Sequence, residues 1–307
     1  MADAIMHENE NIDETGDDND TVDELPQYVA LVCDEPERVS DSEIEIAALT
    51  HPGLVREKNE DHYAVLRRYR SSAVVASSLQ GEQLPGNEEV ATWLLIVADG
   101  LGGHTSGEVA SATAINAIIR LSNNISSWIM RPSEDGFSER VKLYADAIQA
   151  ALRDLAEQNP SLAGMATTIT SVYLCGDQAL VVNVGDSRAY LVRDQTIQQI
   201  TDDHTIARQL QREGVSQSVT KRFRNLVTRS FNTEPSKVEF DIFHLHLQPQ
   251  DQLLLCSDGL TDMVEDDLIL QEVTRAATPQ EASKSLVLAA LQAGGRDNVT
   301  TVLARIS

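Results

Sequence analysis

The sequence predicts an α+β domain built on antiparallel sheet, and three observations carry that reading. Trp93-Leu94-Leu95-Ile96-Val97-Ala98 is an unbroken apolar run with the length and composition of a strand covered on both faces. From 167 to 201, short strand-like runs alternate with tight turns such as Cys175-Gly176-Asp177-Gln178, and turns that short join antiparallel neighbours. Between them lie two stretches of helical period. The clearer one puts Val141, Tyr144, Ala147, Ile148, Ala151, Leu152 and Leu155 on one side, as a core-covering helix does.

The chain has 307 residues, room for one large domain or two small ones, and its 42% apolar content suffices for a sizeable core. Aromatic residues make up 4%, so aliphatic side chains must supply most of the burial. No apolar run approaches membrane-spanning length, and the N-terminus lacks the basic and apolar regions of a secretion signal. A soluble cytoplasmic protein without a membrane partner is expected. Cys33, Cys175 and Cys256 lie far apart, without metal-ligand or redox spacing. A net charge of −24 argues against nucleic acid as a general partner, since that would require basic surface.

Taken in order, residues 1–42 read as an acidic tail without fixed structure, with about ten Asp and Glu and no Lys or Arg in its first part. Its apolar patch, Tyr28 to Val32, is read as solvated, with docking on the domain as the alternative. The folded domain is expected over 43–307. It opens on a half-buried strand in which Ile44, Ile46 and Ala48 alternate with Glu43, Glu45 and Ala47. A turn at His51-Pro52-Gly53 leads to Arg56-Glu57-Lys58-Asn59-Glu60-Asp61, either a loop for phosphate and metal-water chemistry or a solvated charge cluster. A strand at 63–66 precedes an extended loop from Arg70 to Glu89, marked by Gly81, Pro85 and Gly86. After the central apolar run, helices are expected over 107–122 and up to the stop at Pro160. Strands at 167–174, 179–184, 189–192 and 196–201 read as consecutive hairpins. The segment 202–235 interrupts the sheet pattern with a helix at 206–213. It also concentrates Arg208, Arg212, Lys221, Arg222, Arg224 and Arg229, either ordinary solvated charge or a surface that steers acidic substrates. Strands at 240–247 and 253–256 precede two helices. The second starts on Thr278-Pro279-Gln280-Glu281, a capping box with proline first in the helix, and stops at Gly294-Gly295. A last strand runs from Val299 to Ile306.

Four aspartates hold equivalent positions at turns bordering apolar strands: Asp99, Asp186, Asp258 and Asp297. Any one of them could simply open its turn through its own side chain. Gathered at one end of a sheet with Glu60 and Asp61, they would repel one another unless cations neutralised them. Oxygen-only donors favour magnesium or manganese over zinc. Two such ions about 3.5–4 Å apart can clamp a bridging water and a phosphate.

In order and spacing, six motifs resemble the bacterial PPM (PP2C-type) metal-dependent Ser/Thr protein phosphatases. They are Arg56-Glu57-Lys58-Asn59-Glu60-Asp61; Val97-Ala98-Asp99-Gly100-Leu101-Gly102-Gly103-His104 with Gly107-Glu108; Gly164-Met165-Ala166-Thr167-Thr168; Gly185-Asp186-Ser187-Arg188; Cys256-Ser257-Asp258-Gly259-Leu260; and Gly295-Arg296-Asp297-Asn298-Val299-Thr300. The resemblance implies a β-sandwich of two antiparallel sheets flanked by helix pairs, in α-β-β-α layers. It implies hydrolysis of phosphoserine and phosphothreonine on proteins by a metal-activated water, opposing a Ser/Thr kinase, in a monomer that uses two or three Mn2+ or Mg2+ ions. By the same resemblance Asp99 bridges two metals, the Gly100 carbonyl binds one of them, and Asp258 and Asp297 complete the second site. Asp186 with Asp258 resembles a third, weaker site. Glu60 and Asp61 hold waters at the metals, with Asp61 orienting the attacking one, and Arg56 resembles the phosphate clamp.

The chain departs from the family pattern at Ala166, at His51-Pro52, in a shortened flap over 202–235 and in the long loop from Arg70 to Glu89. Leu101 stands where some relatives have a histidine proposed as general acid. His104 is either that acid or a turn histidine with a structural hydrogen bond. No cysteine is followed by arginine at thiolate-phosphatase spacing, and there is no Gly-x-x-x-x-Gly-Lys loop. A catalytically dead relative used as a binding module is the rival reading; the full set of aspartates favours the enzyme.

Overall fold

The computed structural model describes residues 44–72, 88–101, 106–124 and 134–307. The acidic tail, the 28–32 patch, Cys33, the middle of the loop after Arg70, and His104 lie outside the described residues.

The strands are β1 (Ile44–His51), β2 (His62–Ser72), β3 (Glu88–Ala98), β4 (Gly100–Leu101), β5 (Ala166–Thr167), β6 (Ile169–Cys175), β7 (Gln178–Val184), β8 (Arg188–Arg193), β9 (Thr196–Gln199), β10 (Phe231–Asn232), β11 (Asp241–His246), β12 (Gln252–Cys256) and β13 (Val299–Ile306). They form two five-stranded sheets, ordered β1-β13-β12-β8-β9 and β11-β7-β6-β3-β2, and a small β10-β5-β4 sheet. Every pairing among them is antiparallel.

The apolar run of β3 shows why the sheets face each other. Trp93, Leu95 and Val97 enter the space between the sheets, against Ala189, Leu253, Val302 and Ala304 of the opposite sheet. Their alternates Leu94, Ile96 and Ala98 turn outward against α1 (Ser106–Asn124) and α2 (Glu134–Gln158), whose Ala114, Ile118, Phe137, Ile148 and Leu152 complete a second core. A third core lies beyond the other sheet. There Tyr190, Leu254 and Leu303 meet Ile269 and Val273 of α6 (Asp266–Arg275) and Leu286 and Val287 of α7 (Pro279–Gln292). Fully burying one such Leu, Ile or Phe is worth about 1.5–3 kcal/mol. The layers therefore read α-β-β-α, because both sheets are apolar on both faces.

The capping box forms: Thr278 Oγ1 accepts from Glu281 N at 3.2 Å, while the Glu281 carboxylate accepts from Ala277 N at 3.0 Å, one residue before the cap. Other expectations need correction. The chain does not fold back at Gly185-Asp186-Ser187 into a hairpin; β7 and β8 belong to different sheets, so this turn crosses the sandwich at its end. Gly185 makes the crossing with φ +114°, and a β-carbon there would lie 2.4 Å from that of Thr168. β2 and β3 run into the expected loop, their ladder carrying on to Ser72 and Glu88. A short helix, α5 (Asp258–Thr261), precedes the two expected after β12. The 202–235 segment holds α3 (Ile206–Arg212), α4 (Gln217–Thr220) and a 3-10 turn at Lys221–Phe223. Among the described residues no helix is long and apolar enough to cross a membrane.

Candidate functional site

The predicted aspartates Asp61, Asp99, Asp186, Asp258 and Asp297 lie close enough to repel one another, and β4 and α1 cross beside them closely enough to need glycine. A β-carbon on Gly100 would lie 2.2 Å from the Gly107 carbonyl oxygen, and one on Gly107 would lie 2.7 Å from that of Gly100. This crossing seats Asp99, and its backbone is held by the Ala-Thr-Thr motif. Thr168 N and Thr167 Oγ1 both donate to the Asp99 carbonyl, each at 2.8 Å.

Asp61 is the most enclosed of the set, at 3% exposure. Its Oδ2 accepts from Ser257 Oγ at 2.6 Å and from Thr300 Oγ1 at 2.7 Å, whereas its Oδ1 is buried with no hydrogen-bond partner. Burial pushes its pKa up to about 6, against those two hydrogen bonds. Asp99 and Asp258 are also driven well above the ordinary carboxylate range, first by desolvation and then by repulsion, which Asp99 feels from Asp61, Asp258, Asp186 and Asp297 and Asp258 from Asp186, Asp297, Asp262 and Asp61. Asp186 lies at 6% exposure at the sheet crossing, with Oδ1 likewise buried and unpartnered. Burial and then the nearby Asp203 raise it to about 7. Glu60 is raised by desolvation.

Arg56 sits at the mouth with its side chain 54% exposed, donating from Nη2 to Asp297 Oδ2 at 2.7 Å. The other basic residues of 202–235 are mostly neutralised in place. Arg208 and Arg212 both bind Asp202, Arg224 meets Asp262 at 3.2 Å, and Arg229 meets Glu239 and Asp241. The concentration of positive charge read from the sequence thus reduces largely to Lys221 and Arg222.

Several supporting residues have no role in the sequence reading; Asn298 stands in a motif, His51 is noted only as a departure, and Ser111 and His204 are not singled out. Asn298 Oδ1 accepts from Glu60 N at 2.8 Å, and its Nδ2 donates to the Pro52 and Lys58 carbonyls at 2.9 and 2.8 Å. Ser111 Oγ donates to the Glu60 carbonyl at 2.6 Å, so both sides of that peptide are fastened. His51, one of the departures, accepts from Gly53 N through Nδ1 at 2.9 Å and closes its own turn. His204 is buried, and its Nδ1 accepts from Gly185 N at 3.1 Å while Nε2 lies 3.0 Å from Asp241 Oδ2. A polar residue beside each aspartate was the available signal, but which ones become hydrogen-bond hubs depends on segments far apart in sequence.

Whether such a site suits a divalent cation follows from its donors. It offers carboxylate oxygens whose mutual repulsion is unrelieved and two buried oxygens without partners, and it has no sulfur; that set fits a hard ion of the magnesium or manganese kind. Among the described residues no three acidic, histidine or cysteine side chains close on one point. An ion would therefore be held by fewer carboxylates, with backbone oxygen and water completing its shell.

Comparison with known proteins points the same way. The Protein phosphatase 2C family profile matches residues 85–291. The chain is 29% identical over 266 residues to the serine/threonine phosphatase Stp of Listeria monocytogenes, spanning 83% of this chain and 92% of that one. It is 35% identical over 267 residues to the serine/threonine protein phosphatase PstP of Mycobacterium tuberculosis, spanning 85% of this chain and 44% of that longer protein. A crystal structure of the PstP catalytic domain in complex with two manganese ions superposes with TM-score 0.66 at 32% identity, over 86% of this chain and 98% of that one.

Proposed function

This chain belongs to the protein phosphatase 2C family and is a metal-dependent serine/threonine phosphatase, and from that premise we propose how its own residues divide the work. Asp99 with the Gly100 carbonyl, and Asp258 with Asp297, would hold two Mn2+ or Mg2+ ions; Asp186 with Asp258 would hold a third. When bound, the ions neutralise the carboxylates and make water a competent nucleophile near neutral pH.

Asp61 is the residue that orients the attacking water. Its Oδ2 is immobilised by the hydroxyls of Ser257 and Thr300, and its Oδ1 is left free to accept a water proton. That half-satisfied buried carboxylate, next to Asp99, is the observation that carries the reading. The Glu60 carboxylate stands at the rim as a second acceptor for water, on a backbone fastened to Asn298 and Ser111. Arg56, exposed and planar, can exchange the Asp297 carboxylate for the oxygens of a phosphate, a task its fork geometry suits. Water oxygen bonds to phosphorus, the bond from phosphorus to the seryl or threonyl oxygen breaks, and that oxygen takes a proton, leaving inorganic phosphate and the free hydroxyl. We extend the reading to a cytoplasmic, monomeric enzyme that opposes a Ser/Thr kinase, in keeping with the acidic, cysteine-poor composition.

Release of phosphate from phosphoserine and phosphothreonine peptides, with and without manganese, tests it. Asp99→Asn should fold and lose turnover, and chelation should silence the wild type reversibly. Full activity in the mutant or in excess chelator overturns the assignment; a folded, metal-replete chain with no turnover would favour the binding-module reading.

A further inference from the structure

A groove of about 860 Å³ runs from the acidic centre, where Asp186 and Asp258 line it, between the 202–235 segment and the α5–α6 corner. A phosphoseryl side chain fills only a fraction of such a volume, which is of the size that accepts several residues of a bound ligand. What the groove would select follows from which of its charges are already matched. Arg188 grips Asp203 through two bonds, at 2.9 and 2.6 Å. Arg208 binds Asp202, and Arg224 crosses the groove to Asp262 at 3.2 Å. Tyr190 donates to Asp266 at 2.9 Å. Three guanidiniums are thus neutralised by the protein itself.

Glu265 and Asp267, at the start of α6, are exposed and make no side-chain hydrogen bond or ion pair among the described residues. Against them stands Lys221, the remaining cation of the lining without such a pair. Carboxylates at a helix start are stabilised by its dipole, which accounts for their presence. It does not saturate them, and they project into a groove that ends on the buried, unpartnered Asp186 oxygen. The unmatched charge facing a substrate is therefore acidic, the reverse of what the arginine-rich stretch suggests when read as sequence.

We propose that this groove receives the segment flanking the phosphorylated residue, and that it selects phosphoprotein substrates carrying lysine or arginine within a few residues of the phosphate. The inference rests on the phosphatase reading and adds the substrate's charge pattern to it.

The test uses the full chain with manganese and three substrates: two phosphothreonine peptides differing only in flanking arginines or glutamates, and p-nitrophenyl phosphate. Wild type should favour the arginine peptide by roughly three- to tenfold in kcat/KM, as two exposed ion pairs allow, and the preference should shrink with added salt. In Glu265→Gln/Asp267→Asn the ratio of the two peptides, each normalised to p-nitrophenyl phosphate turnover by the same preparation, should fall to near one. A wild-type ratio near one, a preference for the glutamate peptide, or a preference that survives in the double variant overturns the proposal alone. Absence of turnover on all three substrates overturns the phosphatase reading, and this inference with it.

Discussion

Replacing Asn298 with alanine should uncouple the 52–61 loop from the rest of the site. The side chain is 5% exposed and joins three backbone groups, Glu60 N–H and the Pro52 and Lys58 carbonyls, all at 2.8–2.9 Å. Each hydrogen bond is worth about 1 kcal/mol net, so the loss should be about 2–4 kcal/mol. For a chain of this size that lowers Tm by roughly 4–16 °C. Activity should suffer beyond the stability loss, because the freed loop carries Arg56, Glu60 and Asp61, and misplacing reacting groups by about 1 Å can cost on the order of a hundredfold. Thermal melts, with kcat/KM for p-nitrophenyl phosphate measured well below the variant's Tm, separate the two effects. Asn298→Asp keeps the acceptor for Glu60 but loses both donors and adds a charge beside Asp297, so it should rescue neither. A Tm within about a degree of wild type, or unchanged kcat/KM, refutes the argument.

Chelation should make stability depend on pH. Asp61 at about 6 and Asp186 at about 7 lie above the ordinary 3.8, so their contribution is present at low pH and lost as pH rises through those values. Chelated protein should melt lower at pH 8 than at pH 5.5 and manganese should reverse the order; parallel melts would count against it. His204→Asn keeps an acceptor for Gly185 N–H, whereas His204→Gln keeps the partner of Asp241, so Asn should retain more manganese-dependent turnover; equal loss would show that the Gly185 contact does not hold the Asp186 turn. Gly259→Ala would set a β-carbon 1.9 Å from the Asn298 carbonyl oxygen and should yield little folded protein, read by expression and circular dichroism; a normal melt would contradict it. Asp186→Ala should reduce turnover less than Asp99→Asn in steady-state assays, and the opposite order would argue against a weaker third site.

What was legible in the sequence follows a physical division. β3 and β13 could be read because their apolar runs are buried on both faces, and α7 because its cap and its terminal glycines are local signals. The acidic centre could be read because its carboxylates stand at strand boundaries, Asp99, Asp186 and Asp258 just after β3, β7 and β12, and Asp61 and Asp297 just before β2 and β13. The crossing at Gly185 was misread because a tight turn looks the same whether the next strand pairs with its neighbour or joins the facing sheet. Ser257 and Asn298 stood beside aspartates and Thr300 within the last motif, but nothing local marked them or His204 as hydrogen-bond hubs, since a buried hub and a solvated polar residue share one letter. The pairing of the arginines of 202–235 was hidden for a related reason: their partners Asp202, Glu239 and Asp241 are nearby, but which of them meet is not written in spacing.

The hydroxyls that hold Asp61 come from 196 and 239 residues away in the chain. Contacts of that span are the slowest to form, because loop-closure entropy must be overcome before they yield any stabilisation. β13 sits between β1 and β12, and β1, at the edge of the sheet, has β13 as its strand neighbour. Recovery of catalysis on refolding should therefore lag helix formation and report the closing of the last strand, so that a partly folded chain is silent rather than weakly active.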